Sequence, residues 1–206
     1  MITIFDFDGT LADTLEATIQ IYQELAVTMK LQPLDLADLP ALREMGAKQV
    51  LAHLGISKFR VPSLLYQGRK RLRARLPQLP LIPGIADALR SMRERSPHLG
   101  ILTSNSTENV ELFLDTHGLS QHIEFISSTS KLSGKHKHLR AIARTFSVPT
   151  SQLLYIGDEI RDIKAAKKAG TRSAAVTWGF NTAHSLSLEH PDHLITSPTQ
   201  LLNLPH

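Results

Sequence analysis

The order of apolar and polar positions changes character along the chain. Ile2, Ile4, Phe5 and Phe7 form a short β-branched and aromatic run around Asp6 that stops at Asp8-Gly9, which predicts a buried strand ending in a tight turn. Leu15, Ile19, Tyr22, Leu25, Ala26 and Met29 then recur at three- and four-residue intervals and predict a long amphipathic helix. Pro33, Pro40, Gly46 and Gly55 divide the next stretch into short pieces, where Val50, Leu51 and Leu54 share one helical face closed by Gly55. Ser63 to Leu76 reads as another helix, apolar at Leu64, Leu65 and Leu72 and basic at Arg69, Lys70, Arg71, Arg73 and Arg75. That basic run reads as a solvated helix face. Pro77, Pro80, Pro83 and Gly84 crowd the segment that follows, which reads as a joint between two units.

Beyond the joint the rhythm alternates. Helices are expected around Ile85, Leu89 and Met92, around Val110, Phe113 and Leu114 up to Gly118, around Leu139, Ile142, Ala143 and Phe146, and around Ile163, Ala166 and Ala169 up to Gly170. Strands are expected at 99–102, 123–126, 153–156 and 173–177, with a last short one at 193–195. Strands alternating with ten-residue amphipathic helices imply right-handed crossovers and a parallel sheet covered on both faces. The helix-only block, residues 15–81, is expected to be a separate α-helical cap inserted into an α/β core made of residues 1–14 and 82–206.

A chain of 206 residues exceeds one average domain of roughly 150 and falls short of two, which suits a core with an insertion. Hydrophobic residues make up 42% and charged residues 20%, which excludes a disordered or collagen-like chain. The absence of cysteine excludes disulfides, thiol catalysis and Cys-ligated metal. A net charge of +4 favours anionic small molecules and is too weak to suggest nucleic-acid binding, so no nucleic-acid partner is expected. No apolar run approaches the ~18 residues of a membrane span, and Asp6 interrupts the first one. Neither a signal peptide nor a membrane partner is therefore expected, and the cytoplasm is the default location.

Ligands of such sheets bind beyond the carboxyl ends of the strands, where strand order reverses. Polar groups cluster at those ends: Asp6 and Asp8 after the first strand, Thr103, Ser104 and Asn105 after the second, Asp158 and Glu159 after the fourth, and Asp162 one helical turn later. Carboxylates facing one crevice repel by about 4 kcal/mol per pair at 4 Å and an effective dielectric near 20, so a cation must compensate them or some must be protonated. Oxygen donors without Cys or paired His favour a hard ion, and Mg²⁺ is the best candidate. His136 and His138, two apart, do not share a helical face. Beside such an ion Asp6 can attack phosphorus and form an acyl phosphate that water cleaves. Asp8 can serve as general acid toward the leaving oxygen and then as general base toward the water. Gly9 suits a backbone that approaches a phosphoryl group closely, and Thr103 offers a hydroxyl to its equatorial oxygens. A plainer account makes Asp8-Gly9 a solvated turn and Thr103, Asn105 or Ser106 helix caps, and a cap can coexist with a phosphate site.

These residues fall into four ordered motifs. Asp6-Phe7-Asp8-Gly9-Thr10-Leu11 resembles the first motif of the haloacid dehalogenase-like hydrolase superfamily, Ile101-Leu102-Thr103-Ser104-Asn105 the second, Gly134-Lys135 the third, and Gly157-Asp158-Glu159-Ile160-Arg161-Asp162 the fourth. Pro83-Gly84 and Ala165-Ala166-Lys167-Lys168-Ala169-Gly170 are similar to the phosphoglycolate phosphatase-like branch. The resemblance implies a Rossmann-like parallel sheet with a helical cap. It also implies Mg²⁺ held by Asp6, the Asp8 carbonyl and Asp158, with Glu159 and Asp162 acting on the ion from behind its ligands or through water, and Asp162 as the alternative direct ligand. A third-motif lysine should neutralise the nucleophile and the phosphoryl oxygens. Lys135 is assigned that role over Lys131 and Lys137 because Gly134-Lys135 opens the helix leading to the fourth motif. Gly9, Thr10, Ser104 and Asn105 complete the expected substrate contacts.

The function expected is a Mg²⁺-dependent phosphatase of a small phosphorylated metabolite, a phosphoglycolate-like or sugar phosphomonoester, acting through an aspartyl-phosphate. A dehalogenase would not need the second aspartate. A phosphomutase that retains its phosphoenzyme, or a non-enzymatic module that accepts phosphate and switches a partner, are the alternatives, and the inserted cap argues against the last. Arg43, Glu44, Lys48 and Arg60 are candidate cap contacts, and Trp178-Gly179-Phe180 fits a core edge or a pocket wall equally well.

Overall fold

Strands at Ile2–Phe5 (β1), Leu99–Thr103 (β2), Phe125–Ser128 (β3), Leu153–Gly157 (β4), Arg172–Val176 (β5) and His193–Ile195 (β6) make up one sheet in the computed structural model, which describes residues 1–96, 98–129 and 133–204. All pairings are parallel and the order is β3-β2-β1-β4-β5-β6. Every residue of β1, β2 and β4 is buried, as central strands covered on both faces require. The third strand starts two residues later than the apolar pattern suggests. Ile123 N–H closes a tight turn onto the Ser120 carbonyl, and Phe125 pairs with Gly100. A Cβ on Gly100 would stand 2.1 Å from the Phe125 ring, so glycine there makes room for the aromatic group.

Helices Ile85–Arg95 (α5) and Thr107–Thr116 (α6) cover one face and Lys135–Thr145 (α7) and Ile160–Ala169 (α8) the other, while four earlier helices lie between β1 and α5. On the α7–α8 side, Leu139, Ile142, Ala166 and Ala169 pack against Ile2, Ile4, Leu102 and Tyr155. On the opposite side, Leu89, Met92, Val110 and Phe113 meet Phe5, Ile101 and Ile156. A short helix, Ala183–Ser187 (α9), precedes β6.

The all-helical block holds Leu15–Thr28 (α1), Leu39–Arg43 (α2), Ala47–His53 (α3) and Val61–Arg75 (α4). Ile21 and Leu25 of α1 and Leu64 and Leu72 of α4 are buried in the apolar cluster that continues from the core. Glu24 of α1 pairs with both Arg71, at 3.1 Å, and Arg75 of α4. Part of the basic run thus clamps two helices rather than facing solvent alone. The chain enters and leaves the block side by side: Asp13 N–H donates to the Pro80 carbonyl and Ile82 N–H to the Leu11 carbonyl, each at 3.0 Å. Among the described residues no helix is long and apolar enough to cross a membrane.

β1 pairs with β2 on one side and β4 on the other. The chain builds β2 and β3 outward from β1 and then returns to β4 on its opposite flank. The carboxyl ends of β1 and β4 therefore sit at the reversal point, where a crevice opens.

Candidate active site

Phe5 is in register with Ile101 and Ile156, so the residues that follow β1, β2 and β4 emerge together. Asp6 is the first residue beyond β1, 2% exposed, with its N–H on the Ile156 carbonyl at 2.7 Å and its Oδ1 accepting Phe7 N–H at 2.8 Å. Burial pushes its carboxyl up to about 7; Lys135 works against that shift and the charge of Asp162 adds to it. Asp8 follows at the mouth of the crevice, where burial pushes it up to about 6 against a hydrogen bond from Asn105. That amide stands 3.1 Å from Asp8 Oδ2, so Asn105 fixes the Asp8 carboxyl rather than merely capping a helix. Ser106 is the cap of α6, accepting Asn109 N–H.

Lys135 begins α7 directly after Gly134, whose φ of 118° turns the chain into the helix. Its Nζ lies 2.7 Å from Asp6 Oδ2 and 2.7 Å from Asp162 Oδ1. Burial would lower its pKa, but the charges of Asp162 and Asp6 outweigh this and hold the ammonium protonated. Lys137 is exposed on the same helix, and Lys131 lies outside the described residues. Tyr155 donates to both the Leu102 carbonyl and Asp162 Oδ1 at 3.1 Å, and Asp162 Oδ2 accepts Glu159 N–H at 3.1 Å. Burial would raise Asp162, but Lys135 and Arg161 together keep it below the usual carboxylate range.

Asp158 is wholly buried. Its Oδ1 accepts the Thr10 hydroxyl and its Oδ2 the Phe180 N–H, both at 2.7 Å. Burial, then the charges of Glu159 and Asp6, raise its pKa well above the ordinary value. Single oxygens of Asp6, Glu159 and Asp162 lie within 4.8 Å of one another, whereas Asp158 stands outside that trio. Asp162 takes three protein donors across its two oxygens, and the Glu159 oxygen nearest Arg161 is paired with it. Asp158 keeps acceptor sites beyond its two bonds, since an ionised carboxylate has about four. All donors are hard oxygens, and burial, which raises both Asp6 and Asp158, leaves these carboxylates short of the solvation that a bound cation would replace. The residues present therefore fit Mg²⁺.

Thr103 accepts Asn105 N–H at 2.9 Å through its hydroxyl, which leaves its own O–H to donate. Gly9 has φ +74°, and a Cβ there would stand 2.4 Å from Asp158 Oδ2, so only glycine lets the first-motif turn pass that carboxylate. Ser104 meets Arg161 at 3.3 Å. Of the cap candidates, Arg43 donates to the carbonyls of Gly179 and Phe180, at 2.8 and 3.1 Å, and Glu44 accepts from the Thr182 hydroxyl. Exposed Lys48 lines a cavity with Lys135 and Arg161. Arg60 is not a crevice residue: it bonds the Met29 carbonyl inside the cap. Trp178 donates to the Thr10 carbonyl at 3.2 Å, and Phe180 forms part of the crevice wall.

Sequence reasoning passed over Arg161 as a site residue. The available signal was a lone cation among the three acids of the fourth motif. The first turn of α8 aims it into the crevice, where Nε meets Glu159 Oε1 at 2.8 Å. Asn109 was also missed, because an amide one turn inside a helix looks like any surface position. It donates to the Asn105 side-chain oxygen at 2.9 Å and to the Arg69 carbonyl at 3.2 Å, which links the cap to the residue that holds Asp8.

The family model described as haloacid dehalogenase-like hydrolase matches residues 3–176. A phosphoglycolate phosphatase from Synechococcus elongatus is 37% identical over 199 residues, which covers 97% of this chain and 94% of that protein. A phosphoglycolate phosphatase from Escherichia coli is 30% identical over 132 residues, 61% of this chain and 52% of that protein. Among solved structures, a haloacid dehalogenase-like family hydrolase from Streptococcus pneumoniae superposes with a TM-score of 0.82 at 22% identity, covering 98% of this chain and 96% of that one.

Proposed function

The chain belongs to the haloacid dehalogenase-like hydrolase family and is a phosphatase, and from that premise we propose that it hydrolyses a small phosphomonoester of the phosphoglycolate kind through an aspartyl-phosphate on Asp6. The observation that carries this reading is the placement of Asp6 and Asp8 on one turn, with Lys135 2.7 Å from the Asp6 oxygen. Asp6 Oδ attacks phosphorus, and the bond from phosphorus to the ester oxygen breaks as Asp8 gives that oxygen its proton. A carboxyl pushed up to about 6 keeps a protonated fraction near neutrality for this step. Asp8, now ionised, takes a proton from the water that attacks the aspartyl-phosphate, and Asp6 and inorganic phosphate are released. Lys135 faces the transferred group with a charge that Asp162 keeps in place.

Asp6, the Asp8 carbonyl and Asp158 would hold Mg²⁺, with Asp162 the alternative ligand. When bound, the ion supplies positive charge that keeps Asp6 ionised and offsets the phosphoryl oxygens. The helices of 15–81 act as the cap that covers the substrate and excludes water. Thr103, Ser104, Gly9 and Thr10 shape the phosphoryl pocket, and the cytoplasm is where a phosphorylated metabolite would be met. The test is phosphate release from phosphoglycolate, sugar phosphates and nucleotides, with Mg²⁺ and with a chelator. Release from phosphoglycolate or a sugar phosphate only with the ion is expected. Metal-independent release, or release from nucleotides alone, would overturn the proposal.

A further inference from the structure

One cation beside Asp8 has no part in that reaction. Arg161 spends Nε and one terminal nitrogen on Glu159, and the same nitrogen reaches Ser104, whereas its Nη1 is buried with no hydrogen-bond partner among the described residues. A guanidinium presents five N–H donors in a fixed fork, and buried donors in folded proteins are ordinarily satisfied. Lys135 differs: its charge is shared between two carboxylates at 2.7 Å.

The place of Arg161 says what the missing partner is. Arg161, Asp8, Ser104 and Asn105 of the core line a cavity of about 270 Å³ whose opposite wall includes Arg69 of cap helix α4. Asp8 protonates the leaving oxygen in the proposed reaction, so the part of the cavity around it receives the leaving alcohol, while the phosphoryl group faces Asp6 and Lys135. Two guanidiniums therefore flank the leaving group from core and cap. Burial lowers the pKa of Arg69, Asp8 opposes that shift and Arg161 adds to it, so the three groups act on one another across the cavity. Tyr22, Leu25, Leu65 and Phe180 make much of the remaining wall apolar, which strengthens any charge pairing inside it.

Resting on the function proposed above, we propose that Arg161, joined by Arg69 from the cap, binds a carboxylate carried by the leaving alcohol and sets the specificity of the enzyme for such esters. The apolar wall rejects bulky polyhydroxyl groups, and the paired guanidiniums reward a negative charge close to the ester oxygen. Arginine suits this role because its planar fork engages a carboxylate while still holding Glu159.

The test compares kcat/KM for phosphoglycolate and for 2-hydroxyethyl phosphate, its uncharged counterpart, in Mg²⁺. Taking the ratio of the two within each protein, and comparing that ratio between proteins, cancels the intrinsic reactivities of the esters. The ratio is expected to fall by about tenfold or more in Arg161→Gln, less in Arg161→Lys, and severalfold in Arg69→Gln, with the loss appearing mainly in KM. Equal losses on both esters would overturn the inference and leave the phosphatase reading intact. Hydrolysis of neither ester by the unsubstituted protein would overturn the inference, and the proposed function falls with it only where sugar phosphates are also left intact. Circular dichroism reports whether Arg161→Gln remains folded; if it does not, the ratio in Arg69→Gln decides, and an unchanged ratio there overturns the inference.

Discussion

Asp162 Oδ1 stands 2.7 Å from Lys135 Nζ, the same distance at which that ammonium meets Asp6 Oδ2, so one buried cation is shared by two buried carboxylates. Removing it would leave both acids facing each other without compensation. Breaking a buried pair by deleting one partner costs about 3–5 kcal/mol. Lys135→Met should therefore be inactive and, in chelator at pH 8, unfold at markedly lower urea concentration than the parent. The deficit should shrink at acid pH, where the carboxyls protonate. A deficit of the same size at both pH values would mean that the methionine acts by poor packing and not by orphaned charge.

Asp6→Asn removes the nucleophile but keeps the shape of the side chain, its Phe7 N–H contact and the Lys135–Asp162 pair. Turnover should fall below detection while the circular dichroism spectrum and urea midpoint stay near those of the parent. Substantial phosphate release by this variant would rule out covalent catalysis at Asp6.

Burial raises Asp6 to about 7 and Asp8 to about 6 in the metal-free protein. The sign follows from proton linkage: the folded state binds these protons more tightly than the unfolded chain, so the stability they contribute is complete below pH ~4 and is lost as pH rises through 6 and 7. Asp162 is shifted the other way, and its contribution is lost only as pH falls below about 4. In chelator the melting temperature should be lower at pH 8 than at pH 5. Mg²⁺ competes with protons for the same carboxylates, so its addition should raise the melting temperature more at pH 8 than at pH 5. Melting scans at both pH values check this, and an equal or larger Mg²⁺ effect at pH 5 would contradict the ion site.

The strands were legible because central parallel strands are nearly continuous apolar runs, and their order in the chain already places Asp6, Thr103 and Asp158 at the same edge of the sheet. Phe125 shows where legibility fails. Ile123 looks like strand but serves a turn, and only the fit of an aromatic ring over Gly100 fixes the start of β3. Within the site, residue types and spacing are enough to gather the acids and Lys135. They do not reveal that Asp162 is engaged by three donors while Asp158 sits between two backbones, because hydrogen-bond saturation depends on groups far apart in sequence such as Tyr155 and Phe180. Arg69 and Arg71 sit two positions apart in one basic run, yet Arg71 grips Glu24 and Arg69 lines the crevice, a distinction set by how α4 is rotated against α1.

Gly179 offers a test of the Asp158 assignment that leaves every charged group in place. A Cβ added to Gly179 would lie 2.2 Å from Asp158 Oδ2 and 2.4 Å from its Cβ, and the Gly9 turn also runs close to that carboxylate, so Asp158 cannot make room without leaving its Thr10 and Phe180 donors. Overpacking of this kind costs about 1–3 kcal/mol. Gly179→Ala should be destabilised by that order and should also lose most of the Mg²⁺-induced rise in melting temperature, since Asp158 is displaced. Gly68, inside α4 with no neighbour among the described residues within 4 Å of where a Cβ would stand, provides the contrast: Gly68→Ala should gain up to about 1 kcal/mol from helix propensity and keep the full Mg²⁺ response. Retention of that response in Gly179→Ala, together with the expected loss of stability, would assign Asp158 to holding the turn and leave the ion to Asp6, Glu159 and Asp162.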